Sequence, residues 1–121
     1  YRASVAVDPL APLAAGERAS AIVTVANTGT ATWRAGAEVK TGHVRVGIQL
    51  LDASMRLVER DFARGGFAAD IAPGGSATIE VPFAAPGRPG EYALKFDLVA
   101  EGVTWFEPVG SPVEVLRIRV S

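Results

Sequence analysis

Turn-forming residues interrupt this chain too often for it to hold a long helix. Proline and glycine cluster at Asp8-Pro9, Asn27-Thr28-Gly29, Gly65-Gly66, Pro73-Gly74-Gly75, Pro86 to Gly90 and Pro108 to Pro112. Proline fixes one backbone angle and removes a donor, and glycine pays the largest entropy on ordering, so both end regular elements. Between these breaks the apolar residues recur at every second position. Val44, Val46, Ile48 and Leu50 alternate with Arg45, Gly47 and Gln49. Ala77, Ile79, Val81 and Phe83 alternate with Thr78 and Glu80. Successive side chains of a strand point to opposite faces, so this period marks half-buried strands.

The alternation predicts strands over Arg2–Val7, Ala19–Ala26, Val44–Leu50, Arg56–Asp61, Ser76–Phe83, Glu91–Val99, Val103–Phe106 and Val113–Val120, with 63–72 left as loop. Seven or eight short strands with turns between them are the pattern of an all-β, antiparallel sandwich with Greek-key connections, immunoglobulin- or fibronectin-III-like. Parallel strands, buried on both faces, read as continuous apolar runs instead. A closed barrel is the alternative. No internal repeat or low-complexity tract is present. The chain opens on Tyr1 without a basic-then-apolar leader, and 1–121 reads as a single domain excised from a larger protein.

The bulk composition excludes several classes. Twelve basic and 13 acidic residues leave a formal net charge of -1, which gives no footprint for nucleic acid. No apolar run reaches the roughly 18 residues of a membrane helix. The absence of cysteine removes disulfides, thiol catalysis and thiolate–zinc sites. His43 is the only histidine and is expected in an exposed loop; one imidazole and no thiol make a tetrahedral zinc site a poor reading. There is no Gly-x-Ser-x-Gly elbow, no calcium loop and no phosphate-cradling Gly-Lys-Ser/Thr. No catalytic, metal or cofactor-binding residue is therefore assigned, and the chain reads as a non-enzyme.

Two patterns carry a resemblance. Pro89-Gly90-Glu91-Tyr92-Ala93-Leu94 is similar to the sixth strand of immunoglobulin-like folds, in which a tyrosine hydroxyl bonds back to nearby backbone; Leu94 takes the place of the antibody cysteine. Asn27-Thr28-Gly29, Trp33, Val46–Asp52, Arg64, Asp70, Pro73-Gly74 and Asp97-Leu98-Val99-x-Glu101-Gly102-x-x-Trp105-Phe106 form a more specific set. It resembles the immunoglobulin-like accessory domain appended to bacterial glycosyltransferases and methyltransferases of surface-polysaccharide clusters. It is similar, more loosely, to the NBR1-type Trp-containing Ig-like domain. Gly65-Gly66-Phe67 departs from the Pro-containing loop of that pattern.

The resemblance implies an accessory or interaction module, cytoplasmic if fused to a sugar-nucleotide-dependent glycosyltransferase. Its partner would be the catalytic domain of the same parent chain, another protein or a glycan. The alternative is a carbohydrate-binding module using exposed aromatics. A hydrolase with an unrecognised site is a third reading. Trp105 and Phe106 are strand neighbours that must face opposite ways, so one is core and the other is a candidate contact, with Glu101 and Glu107 as nearby polar groups. Trp33 either joins that surface or plugs an end of the sandwich. Tyr92 is assigned to the corner. Asp97, mid-strand between Phe96 and Leu98, needs a partner if buried, and Arg64 is the expected one.

Overall fold

A computed structural model describes residues 1–36 and 41–121. Eight strands occur among them: β1 (Ala3–Val7), β2 (Arg18–Asn27), β3 (Val44–Asp52), β4 (Leu57–Gly65), β5 (Ser76–Ala84), β6 (Gly90–Ala100), β7 (Thr104–Trp105) and β8 (Glu114–Val120). Their pairings are all antiparallel. One sheet has the order β1-β2-β5. The other runs β4-β3-β6, and β7 and β8 share the far edge of β6. β8 pairs with Gly90–Phe96 and β7 with Val99 and Ala100. The chain crosses between sheets after β2, β4 and β5, as a Greek-key sandwich requires, and the sheets do not close into a barrel.

The alternation decides what enters the core. Ala21, Val23 and Val25 from β2 and Val81 and Phe83 from β5 meet Val46, Ile48, Leu50, Leu94, Phe96 and Leu98 from the opposing sheet. One end is filled by aromatics. Phe106 stacks on Tyr1 at 4.9 Å and meets Trp33 edge-on at 5.6 Å, and Trp33 lies 6.0 Å from Phe67. Such edge and offset contacts add about 0.5–1.5 kcal/mol per pair beyond area burial. Trp33 belongs to no strand; its backbone exchanges hydrogen bonds with Ile71, which seats the indole in this plug.

Three features depart from the sequence expectation. β4 continues through 63–65, which the breaker pattern assigns to loop. Gly65 is paired with Val46 and faces the other sheet; a Cβ there would lie 2.7 Å from Val81 Cγ2. That glycine serves close sheet approach, not a turn. The stretch expected as strand Val103–Phe106 pairs only at Thr104–Trp105 and then becomes a 3₁₀ turn, Glu107–Val109, containing Pro108. Third, β3 and β6 are buried on both faces: Gln49, Leu51, Ala93, Asp97 and Val99 are covered although they alternate with the core residues.

One corner is pinned as the sixth-strand pattern implies: the Tyr92 hydroxyl donates to the Arg88 carbonyl at 2.7 Å. Asn27, read from sequence only as a turn residue, is fully buried. Its amide donates to the carbonyls of Ala31 and Ile71, each at 2.9 Å, and its oxygen accepts from Gly29 N–H. It joins the end of β2 to the segment that carries Ile71.

The packing at Gly65 generates a test. Gly65→Val overpacks the sheet interface and should cost about 1–3 kcal/mol. Gly66→Ala, whose Cβ would meet nothing nearer than Arg45 Nε at 4.0 Å, should stay within about 0.5 kcal/mol of the parent. Urea unfolding followed by far-UV circular dichroism measures both; equal stabilities would refute the close approach.

Candidate functional site

The candidate residues separate into two groups on opposite sides of one sheet. Phe106 and Trp33 are in the core plug, fully buried, which removes both from the candidate binding surface. Trp105 is on the outer face, half-buried. It pairs with Val99, and its six-membered ring lies against Gly47 of β3. A Cβ at Gly47 would sit 2.5 Å from Trp105 Cζ3 and 2.6 Å from Cη2, so this position holds the indole only as glycine. The mid-strand glycine was the available signal for a close approach.

Arg64 comes from β4, directly across from Gly47, and places its guanidinium carbon 4.6 Å from the Trp105 ring centroid. Its Nε contacts Glu101 Oε2 at 3.2 Å and a terminal nitrogen contacts Asp61 Oδ1 at 2.6 Å. Arg45 adds a longer contact to the same Glu101 oxygen, at 3.7 Å. Trp105, Arg64 and Glu101 are thus one cation–π and ion-pair cluster. Arg64 does not pair with Asp97. Both residues are registered opposite Gly47, on the strands either side of β3, but the indole and Glu101 claim the guanidinium.

Asp97 is satisfied by backbone. Its Oδ1 accepts from Leu98 N–H at 2.7 Å and its Oδ2 from Glu107 N–H at 2.9 Å. The carboxylate therefore clips the 3₁₀ turn onto β6. Lys95, two residues earlier on the same face, reinforces the clip through Glu107 Oε1 at 2.6 Å. Neither Asp97 nor Glu101 is free to act as one of a facing carboxylate pair, since one is held by two N–H groups and the other by two arginines.

Beside the Trp105 plate lies a depression of about 300 Å³ between the β3–β4 hairpin and the 3₁₀ turn. Leu51, Trp105 and Pro108 contribute apolar wall, Met55 and Leu57 line the hairpin side, and Arg60 and Glu107 supply charge. Met55 and Leu57 are 41% and 46% exposed, a high degree for such side chains. The turn at Asp52-Ala53-Ser54 and the return strand expected over Arg56–Asp61 are present as the β3–β4 hairpin, but the sequence pattern did not single out Met55 and Leu57 as surface residues. The Met-Arg-Leu-Val run after the turn, with little polar alternation, was the signal present. His43 is half-buried rather than exposed, and no cluster of three or more His, Cys, Asp or Glu suited to a metal occurs among the described residues. No helix of the described residues is long and apolar enough to cross a membrane.

The profile of the family described as "Ig-like domain from next to BRCA1 gene" matches residues 6–115. The chain belongs to this Ig-like family. No curated protein matches it. Among solved structures it is similar to a CARDB domain from Pyrococcus furiosus, at 11% identity and a TM-score of 0.56, over 98% of this chain and 93% of that one. That likeness extends to the fold. Weaker likenesses link it to a family 123 glycoside hydrolase from Clostridium perfringens (7% identity, 99% of this chain and 27% of that chain, TM-score 0.49). Another is to an ASH/PapD-like domain of human CEP192 (16% identity, 98% and 82%, TM-score 0.42).

In this Ig-like domain Asp97 is buried in the sheet. Burial, the strongest influence, pushes its carboxyl above the usual value, against the lowering effect of the Glu107 and Leu98 N–H donors. A carboxyl whose folded pKa is raised binds its proton more tightly in the native state than in the unfolded chain. Its contribution to stability is full below the unfolded value of about 3.9 and is lost as pH rises through the folded value. Asp97→Asn cannot titrate and loses one acceptor at every pH. The stability of the parent relative to Asp97→Asn should therefore be greatest near pH 4 and shrink toward pH 7, measured by urea unfolding at both. A difference that grows with pH would contradict the burial argument.

The Trp105 seat is tested separately. Gly47→Ala should lift the indole off β3 and shift its N–H resonance while leaving that of Trp33, in the core plug, in place. Trp105→Ala added to Gly47→Ala should recover stability lost by the single change, the signature of two residues in contact.

Proposed function

We propose that this chain is a non-catalytic accessory domain of a larger bacterial protein, and that it docks through the outer face of its five-stranded sheet. The partner is another folded protein: the catalytic domain of the same parent chain or a separate subunit. The observation that carries this is the exposed apolar pair at the hairpin, Met55 and Leu57, lining the depression beside Trp105. Apolar side chains gathered next to a depression mark a contact surface more often than scattered ones do. Membership of an Ig-like family and a fold shared with a CARDB domain agree with a binding module, although a fold alone does not name a partner.

The finer reading is a parent that is a glycosyltransferase or related surface-polysaccharide enzyme. Its support is the resemblance carried by Asp97-Leu98-Val99-x-Glu101-Gly102-x-x-Trp105-Phe106. On this reading residues 1–121 are one unit of that enzyme and the outer face sets where its catalytic part sits.

A second reading, glycan binding, is favoured by one observation: Trp105 borders a depression that also presents Gln49, Arg60 and Glu107. Against it, Trp33 and Phe106 are unavailable, so Trp105 has no exposed aromatic partner for a sugar platform, and Arg64 already occupies space over its ring.

Titration of the labelled domain, followed by two-dimensional NMR, separates the two. The adjoining catalytic domain, produced on its own, should perturb the amides of Met55 and Leu57 and the Trp105 indole saturably. A panel of bacterial surface polysaccharides should leave them unmoved. Saturable movement of the Trp105 indole with a polysaccharide and none with the protein would replace docking by glycan binding.

A further inference from the structure

The depression beside Trp105 has a chemistry more specific than an apolar patch. Its volume, about 300 Å³, is at the small end of the roughly 300–1,000 Å³ typical of ligand pockets. That suits a side chain better than a whole small molecule. Leu51, Trp105 and Pro108 offer apolar wall, and Met55 and Leu57 form an apolar lip on the hairpin.

The lip is held in a costly conformation. Met55 is the only non-glycine residue with a positive φ among those described, at 66°. The Asp52 carboxylate accepts from Ser54 and Arg56 N–H, and Met55 N–H bonds to the Asp52 carbonyl, so the turn is tightly specified. Glycine or asparagine would occupy the left-handed position at lower energy. Backbone strain of this kind gathers at binding sites. Here it keeps a long, polarisable thioether at the rim, a side chain that adapts its shape to an incoming apolar group.

The charge around the rim is unbalanced. Lys95 is neutralised by Glu107 at 2.6 Å. Arg60, exposed on β4, makes no ion pair with any described residue. The lining therefore has, among the described residues, one guanidinium without an ion-pair partner beside an apolar hollow. The chemical complement is an apolar side chain with a carboxylate next to it.

We infer that this depression receives a short extended peptide segment of the docking partner, with one leucine- or phenylalanine-sized side chain in the hollow and an adjacent aspartate or glutamate on Arg60. This rests on the protein-docking reading and names the chemistry of its contact. Contact confined to one hollow buries far less than the roughly 1,200 Å² of a stable interface, so the isolated segment binds weakly and its affinity comes from presentation in a larger protein.

The test uses three acetylated, amidated hexapeptides: Gly-Leu-Glu-Glu-Gly-Ser, the same with lysine for both glutamates, and the same with serine for leucine. Each is titrated into the labelled domain and into its Arg60→Glu variant. The acidic leucine peptide should shift Met55, Leu57 and the Trp105 indole saturably, at least about threefold more tightly than either control, the scale of one exposed ion pair. In Arg60→Glu the preference should invert toward the lysine peptide. Shifts that spare these residues, equal binding of the serine peptide, or an Arg60→Glu variant with unchanged preference would each overturn the inference. If no peptide binds while the adjoining catalytic domain still perturbs Met55 and Leu57, peptide recognition falls and docking stands. If neither perturbs them, both fall.

Discussion

Phe106 is the anchor on which the outer face depends. It lies fully buried between Trp33 and Tyr1, and its N–H bonds to the Leu98 carbonyl. Neighbouring residues of an extended chain point opposite ways, so driving Phe106 inward sends Trp105 outward. The indole then needs a flat seat, and Gly47 on β3 provides it. Arg64, opposite Gly47 on β4, approaches the ring from the next strand over. Four strands contribute to this one arrangement through pairing register alone, and none of it would survive a one-residue slip of β6.

The polar groups around this seat follow from the same geometry. β7 is two residues long, too short to be held by its ladder. Asp97 makes up the deficit by accepting Glu107 N–H, which secures the turn after β7 without another side chain having to enter the sheet. Burial of the carboxyl is the cost, and its raised pKa is the trace of that cost. Placing Lys95 and Glu107 over the same region returns part of it through a charge-assisted contact near the surface.

Most of the sandwich was legible from period-two patterning, because strand burial is a direct consequence of side-chain alternation. What was not legible is instructive at particular residues. Gly47 lies mid-strand in β3 facing Trp105, and Gly65 is the last residue of β4 and faces Val81. A single sequence does not distinguish a glycine that ends a strand from one that admits a neighbour. The resemblance made Arg64 the expected partner of Asp97, yet backbone N–H groups, invisible in any list of side chains, supply the partners. Alternation also identified the Trp105-Phe106 pair as split between core and surface. It could not say which was which, since that depends on Trp33 and Tyr1 arriving from elsewhere in the chain.

The face away from the core is where this domain differs from a bare sandwich. In a minimal antiparallel sheet the outer residues are polar and solvated. Here β3 and β6 are covered on that side too, so the sheet has a second, thinner layer made by Trp105, the 3₁₀ turn and the hairpin. Such a layer is rigid where it is clipped, at Asp97 and Arg64, and open where it is not, along Met55 and Leu57. Rigid backing beneath a small exposed apolar rim lowers the entropy lost on contact, because only the rim side chains have to be ordered. The proposed recognition of something small and extended fits this arrangement better than adhesion of a broad flat surface would, because the hairpin leaves Met55 and Leu57 exposed beside the depression.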